Sequence, residues 1–143
     1  MTSFRFRLQK VLDLRHTQLE TEESRFKQQL AALAGLDSER AGWAAAGSKA
    51  EIQVRDFNPL AGSDLTALGN FRLTVKQQQK EIDVRRLECH KSLEAQQAVM
   101  LEARRRCRLL ERLKEKRLAE WTSERDHELE QLASESFMAK WGR

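Results

Sequence analysis

DFNPLAGSD, residues 56–64, is the clearest break in the sequence. Asn58-Pro59 disfavours helix on both sides, because proline lacks an amide hydrogen and its ring pushes the preceding residue out of the helical region. Gly62 adds turn freedom, and Ser63 or Asp64 can accept hydrogen bonds from the free amides of a following helix that starts near Leu65. A turn is expected over about 56–64, with a long helix on either side of it.

On the N-terminal side Leu12, Leu19, Phe26 and Leu33 recur every seven residues, with Leu8, Leu30 and Leu36 beside them. That spacing lines one face of a helix, predicted over about residues 4–50. Gly42 and Gly47 bracket an alanine-rich run where the amphipathic signal fades, so fraying or a bend is expected there. On the other side Leu65, Leu68, Val75, Ile82, Cys89, Leu93, Met100, Ala103, Cys107 and Leu110 come close to alternating steps of four and three. Helix 2 is predicted over about 65–137, with polar intrusions at Gln79, Arg86 and Gln96 of the kind that specify register in coiled coils.

Two amphipathic helices joined by one turn bury their stripes most simply on each other. The predicted fold is therefore all-α, a single domain over 1–143 built as a long antiparallel two-helix coiled-coil hairpin with a C-terminal helical overhang. A turn centred near residue 60 sets Leu12 opposite Cys107 or Arg108, and Phe4 opposite Lys116, by equal rise on both helices. Helix 2 then outruns helix 1 beyond about Arg117. The overhang carries Leu118, Trp121, Leu129, Leu132, Phe137, Met138 and Trp141, a large apolar set to leave in water, and it reads as a docking element.

Composition agrees with an elongated helical body. Charged residues make up 34% of the chain and aromatic residues 6%, which leaves few bulky groups for a globular core. One proline and six glycines leave most of the chain free to be helical. The first fifteen residues carry charges every two or three positions, unlike a signal peptide, and no run approaches the roughly 20 apolar residues of a membrane span. A cytoplasmic protein without direct membrane insertion is expected. Cys89 and Cys107 lie on one predicted helix roughly 27 Å apart, too far to pair, and read as small apolar core residues.

Charge is distributed unevenly. Residues 104–117 hold Arg104, Arg105, Arg106, Arg108, Arg112, Lys114, Lys116 and Arg117 against Glu111 and Glu115, a net of +6 in a chain whose total is +4. In the hairpin they lie beside Arg5, Arg7, Lys10 and Arg15, where Asp13 is the single acid. Basic groups at a helix N-terminus oppose its dipole, so folding alone does not favour the arrangement and an acidic partner surface is expected. Between residues 118 and 135 the sign reverses, with six acids against Arg125. An acidic, partly apolar tip does not suit a nucleic-acid groove, so no nucleic-acid partner is expected.

Catalytic signals are missing. The glycines never form a phosphate loop with a following lysine. His16, His90 and His127 stand far apart, and neither HExxH nor Cys-x-x-Cys occurs. A coiled coil offers no pocket that excludes water. The expectation is a non-enzymatic protein without cofactor, metal or catalytic residues.

The opening FRFRLQKVLDLR, residues 4–15, together with LLERLKEKRLAEW, residues 109–121, resembles the flagellar export protein family FliJ and, less closely, its type III secretion counterparts. The resemblance extends over nearly the whole chain in helix order and motif placement, and its two specific motifs sit at the ends. It implies a stalk-like antiparallel coiled coil, similar to the central stalk of rotary ATPases. It further implies partners: the hexameric flagellar export ATPase, the cytoplasmic domain of the export gate membrane protein, and export chaperones. The resemblance assigns Arg5, Arg7, Arg112, Lys114, Lys116, Arg117, Leu118 and Trp121 to the ATPase. Phe71, Val75, Gln78 and Ile82 match the spacing of the family's gate-contacting surface, and Val75 and Ile82 are also core positions of helix 2. It would place the protein on the cytoplasmic side of the membrane, peripheral to the export apparatus. Two other readings stay open from the residues alone: a nucleic-acid-binding coiled coil, suggested by a pI of 9.3 and the arginine cluster, and a scaffold that self-associates through Trp121 and its neighbours.

Overall fold

The computed structural model describes residues 2–142. The protein is all-α, with α1 over Gln9–Arg55 and α2 over Gly62–Trp141, and no strand occurs among the described residues. The helices pack against each other in two compact units, one formed by residues 1–22 and 100–143 and the other by residues 23–99. Each unit takes one piece of α1 and one of α2.

In the unit of residues 23–99 the core is Val75 and Ile82, which are 8% and 0% exposed. Pairing across the helices is antiparallel: Arg86 meets Asp37 at 2.8 Å, Arg40 meets Asp83 at 2.9 Å and Arg72 meets Glu51 at 2.7 Å. Exposed pairs of this kind contribute about 0–1 kcal/mol each, so their effect is to select register rather than to hold the helices together. The two glutamines at 78 and 79 share partial burial, and the step from Gln78 through Ile82 to Arg86 is two successive fours. Such a stutter loosens the local supercoil and brings Arg86 to the inner edge, where Asp37 receives it.

The register differs from that of a symmetric turn at residue 60. Glu51 with Arg72, Gly47 beside Val75, Arg40 with Asp83 and Glu39 with Arg85 all lie two to four positions farther along α2. The cause is the connection. α1 runs only four residues beyond Glu51, whereas α2 begins ten residues before Arg72, so α2 starts about 9 Å past the end of α1 at helical rise. Residues 56–61, which include the cis peptide Asn58-Pro59, climb that distance outside helical geometry. The start of α2 at Gly62 is also three residues earlier than the expected start near Leu65. Asp64 is not the capping residue; its carboxylate accepts from the Ala61 amide at 3.0 Å, the returning half of a capping box.

α1 begins at Gln9 rather than near residue 4, and it continues through Gly42 and Gly47 to Arg55 as one helix, without the fraying that the glycines suggested. A Cβ on Gly42 meets nothing within 4 Å, and one on Gly47 makes ordinary contact at 3.7 Å with both methyls of Val75. Gly42→Ala and Gly47→Ala should therefore each stabilise the protein, by about 1 kcal/mol from helix propensity. The check is the urea midpoint, which should rise for both variants without a change in slope.

In the unit of residues 1–22 and 100–143 the buried set is Leu12, Met100 and Cys107. His16 Nε2 lies 2.8 Å from Glu111 Oε1, and the Phe4 and Trp121 rings stand 6.0 Å apart. Phe4 thus reaches Trp121, five positions beyond the Lys116 expected for it. α2 consequently stays partnered past Arg117: Trp121, Thr122 and Arg125 are half-buried, and every described residue from Asp126 onward is exposed.

Candidate docking surface

Why helix 1 starts late follows from FRFR, residues 4–7. Phe4 and Phe6 alternate with Arg5 and Arg7, a period of two, and a helix would turn the two rings to different faces. In a non-helical arm over residues 2–6 both phenylalanines become half-buried while both arginines stay exposed. The arm and α2 enclose an open groove of about 1190 Å³, lined by Phe4, Arg5, Phe6, Arg7, Leu113, Arg117, Glu120, Trp121 and Glu124. Trp121 in this lining contacts both the Phe4 ring, tilted by 55°, and the Arg125 guanidinium, which lies 5.1 Å from the indole centroid.

The eight residues assigned to an ATPase contact therefore separate. Arg5, Arg7, Arg117 and Trp121 meet in this groove, with Arg117 donating to Glu120 at 3.2 Å. Arg112 lines a second, shallower groove with Leu101, Arg104, Arg105, Arg108 and Leu109. Leu118, 42% exposed, lines a third with Thr122, Asp126 and Glu130. Lys114 is half-buried and Lys116 exposed, and neither lines any of these grooves. In the second groove Arg105 grips Glu102 with two hydrogen bonds, at 2.9 and 3.0 Å, and Arg106 adds a third at 3.3 Å. The hydrogen bonds from Arg105 hold the Glu102 carboxyl below its usual range and raise the guanidinium above its own.

The four positions assigned to the export gate sit together in the other unit. Val75 and Ile82 are closed in its core, while Phe71 and Gln78 are half-buried at its edge. Only the latter two have surface to offer.

Glu120 and Glu124 are the groove residues that sequence reasoning missed, as were Phe4 and Phe6 as packing groups. The acids were visible only as part of a long acidic run, and their place in the groove depends on where the arm crosses α2. The period of two in FRFR was the available signal for the phenylalanines.

Among the described residues no cluster of three or more His, Cys, Asp or Glu is placed to hold a metal ion, and no helix is long and apolar enough to cross a membrane. No family model matches the chain, and neither does any curated protein or solved structure.

Proposed function

We propose that this chain is a non-enzymatic, stalk-like docking component of a flagellar type III export apparatus. In this role it binds the hexameric export ATPase through the groove of its arm, contacts the export gate from the other unit, and hands on export chaperones at the cytoplasmic side of the membrane. One observation carries the reading. The two sequence motifs that resemble the FliJ family are 94 or more residues apart, and their distinctive residues Phe4, Arg5, Arg7, Arg117 and Trp121 line one groove. A folding role accounts for Phe4 and Trp121. It does not account for Arg5 and Arg7, which are exposed at a helix N-terminus whose dipole they oppose, and an acidic partner surface does.

The test is the turnover of the export ATPase from the same source, titrated with the full chain, with Arg5→Glu/Arg7→Glu, and with a chain ending after Arg125. The cut falls there because an earlier one removes Trp121 and frees the arm. Saturable stimulation by the full chain that the double variant loses by about tenfold or more in apparent affinity is expected. Absence of stimulation by the full chain, or equal stimulation by the double variant, overturns the reading. Stimulation that survives the truncation would assign the contact to the groove alone, and stimulation lost with it would assign a share to residues 126–143.

A further inference from the structure

The outer face of α2 carries a second pattern, independent of the groove and of the proposed function. Ala119 is its centre. Seven and eleven residues before it stand Arg112 and Arg108; seven and eleven residues after it stand Asp126 and Glu130. Eighteen residues away on either side are Leu101 and Phe137. These separations are about two, three and five turns at 3.6 residues per turn, so all seven residues share one helical face. All seven are exposed, Leu101 at 50% and Phe137 at 61%. Among the described residues Arg108, Arg112 and Glu130 make no ion pair, and Asp126 touches only its neighbour Arg125, at 3.3 Å.

A face with positive charge on one side of a point and negative charge at equal distances on the other is complementary to itself turned by 180°. We infer that it is an interface for a second copy of this chain, the two α2 helices lying antiparallel about a two-fold axis at Ala119. In that register Arg112 of each copy meets Asp126 of the other, Arg108 meets Glu130, and Leu101 meets Phe137. The small side chain at the axis lets the helices approach. The isologous arrangement uses each contact twice and closes at two copies. A parallel pairing sets arginine against arginine and acid against acid, and a tail-to-tail pairing centred near residue 129 sets the acidic run against itself. Charge selects the one register. The paired face lies away from the buried residues Met100 and Cys107, so dimerisation leaves the packing of α2 on α1 intact. It does cover Arg112, so a partner that needs this arginine competes with the second copy.

Sedimentation equilibrium of the full chain from micromolar to millimolar concentration gives the first result. A monomer–dimer equilibrium is expected that weakens between about 0.01 M and about 0.15 M salt, as the screening length falls from about 30 Å to about 8 Å. Arg108→Glu/Arg112→Glu makes all four charged positions of the pattern acidic, and Asp126→Arg/Glu130→Arg makes all four basic, with Arg105 and Glu115 beside them unchanged. Each variant alone should lose self-association by more than about 100-fold, because four like-charge contacts replace four ion pairs. An equimolar mixture of the two should form a heterodimer. Ala119→Cys should cross-link to itself on oxidation, whereas Ala133→Cys, away from the axis, should not. A full chain that stays monomeric at low salt, variants that dimerise alone, or a mixture that does not associate overturns the inference. These outcomes are read without any ATPase, so they stand apart from the test of function.

Discussion

Ile82→Asp is expected to unfold the unit formed by residues 23–99, while Val84→Asp, two residues away, is expected to change stability by less than about 0.5 kcal/mol. Ile82 is fully buried and Val84 is 59% exposed, so the same charge enters a core in one variant and water in the other. Removing a buried isoleucine side chain costs about 2–5 kcal/mol, and an unpaired carboxylate in its place adds its own desolvation. Marginal stability of about 5–15 kcal/mol leaves little after such a loss. Val75 and Ile82 are the only buried residues of this unit, so no larger core spreads the damage. The flanking pairs Arg40–Asp83 and Arg86–Asp37 cannot compensate, being exposed and worth about 1 kcal/mol at most each. Circular dichroism and urea unfolding decide the matter. A folded Ile82→Asp with a near-normal midpoint would mean that ion pairing rather than the apolar stripe holds these helices.

That dependence on a thin stripe explains what the sequence disclosed. The heptads through Leu12, Val75, Ile82, Met100 and Cys107 made the helices and their pairing legible, because a two-helix protein has one apolar seam and its period is visible in each helix. Register was less legible. It depends on how far residues 56–61 climb before α2 begins, and loop geometry has no periodic signature. The fate of Gly42 and Gly47 was misread for a related reason: a glycine inside a helix costs about 1 kcal/mol, which tertiary packing on α2 overrides. At the candidate site the charges were visible but their grouping was not. Arg112, Leu118 and Arg117 lie within six residues of one another, yet a helix turns about 100° per residue and sends them to three grooves.

The arm supplies the second large effect. Trp121→Ala should release residues 2–8 from α2 while leaving helix content almost unchanged, because the arm is non-helical and Trp121 lies past the last buried core residue, Cys107. The indole is contacted by both an arm ring and a cation, so its removal takes away the Phe4 contact and the Arg125 contact together. Aromatic pairs contribute about 0.5–1.5 kcal/mol beyond burial, and large-to-alanine changes in packed sites cost about 3–5 kcal/mol, a figure that half-burial reduces. A local loss of about 2–3 kcal/mol raises the open population of the arm roughly 30- to 150-fold, and limited proteolysis after Arg5 or Arg7 should accelerate by that factor. Trp141→Ala is the control. Trp141 is 77% exposed, and its ring contact among the described residues is with Phe137, so its loss should leave cleavage of the arm unchanged. The same pair of variants separates two contributions to docking. If the arginines act only when the arm is held, Trp121→Ala will weaken ATPase binding as much as Arg5→Glu/Arg7→Glu does. If they act from a free arm, binding will survive Trp121→Ala and become slower to form, since an unheld segment must be ordered as it binds.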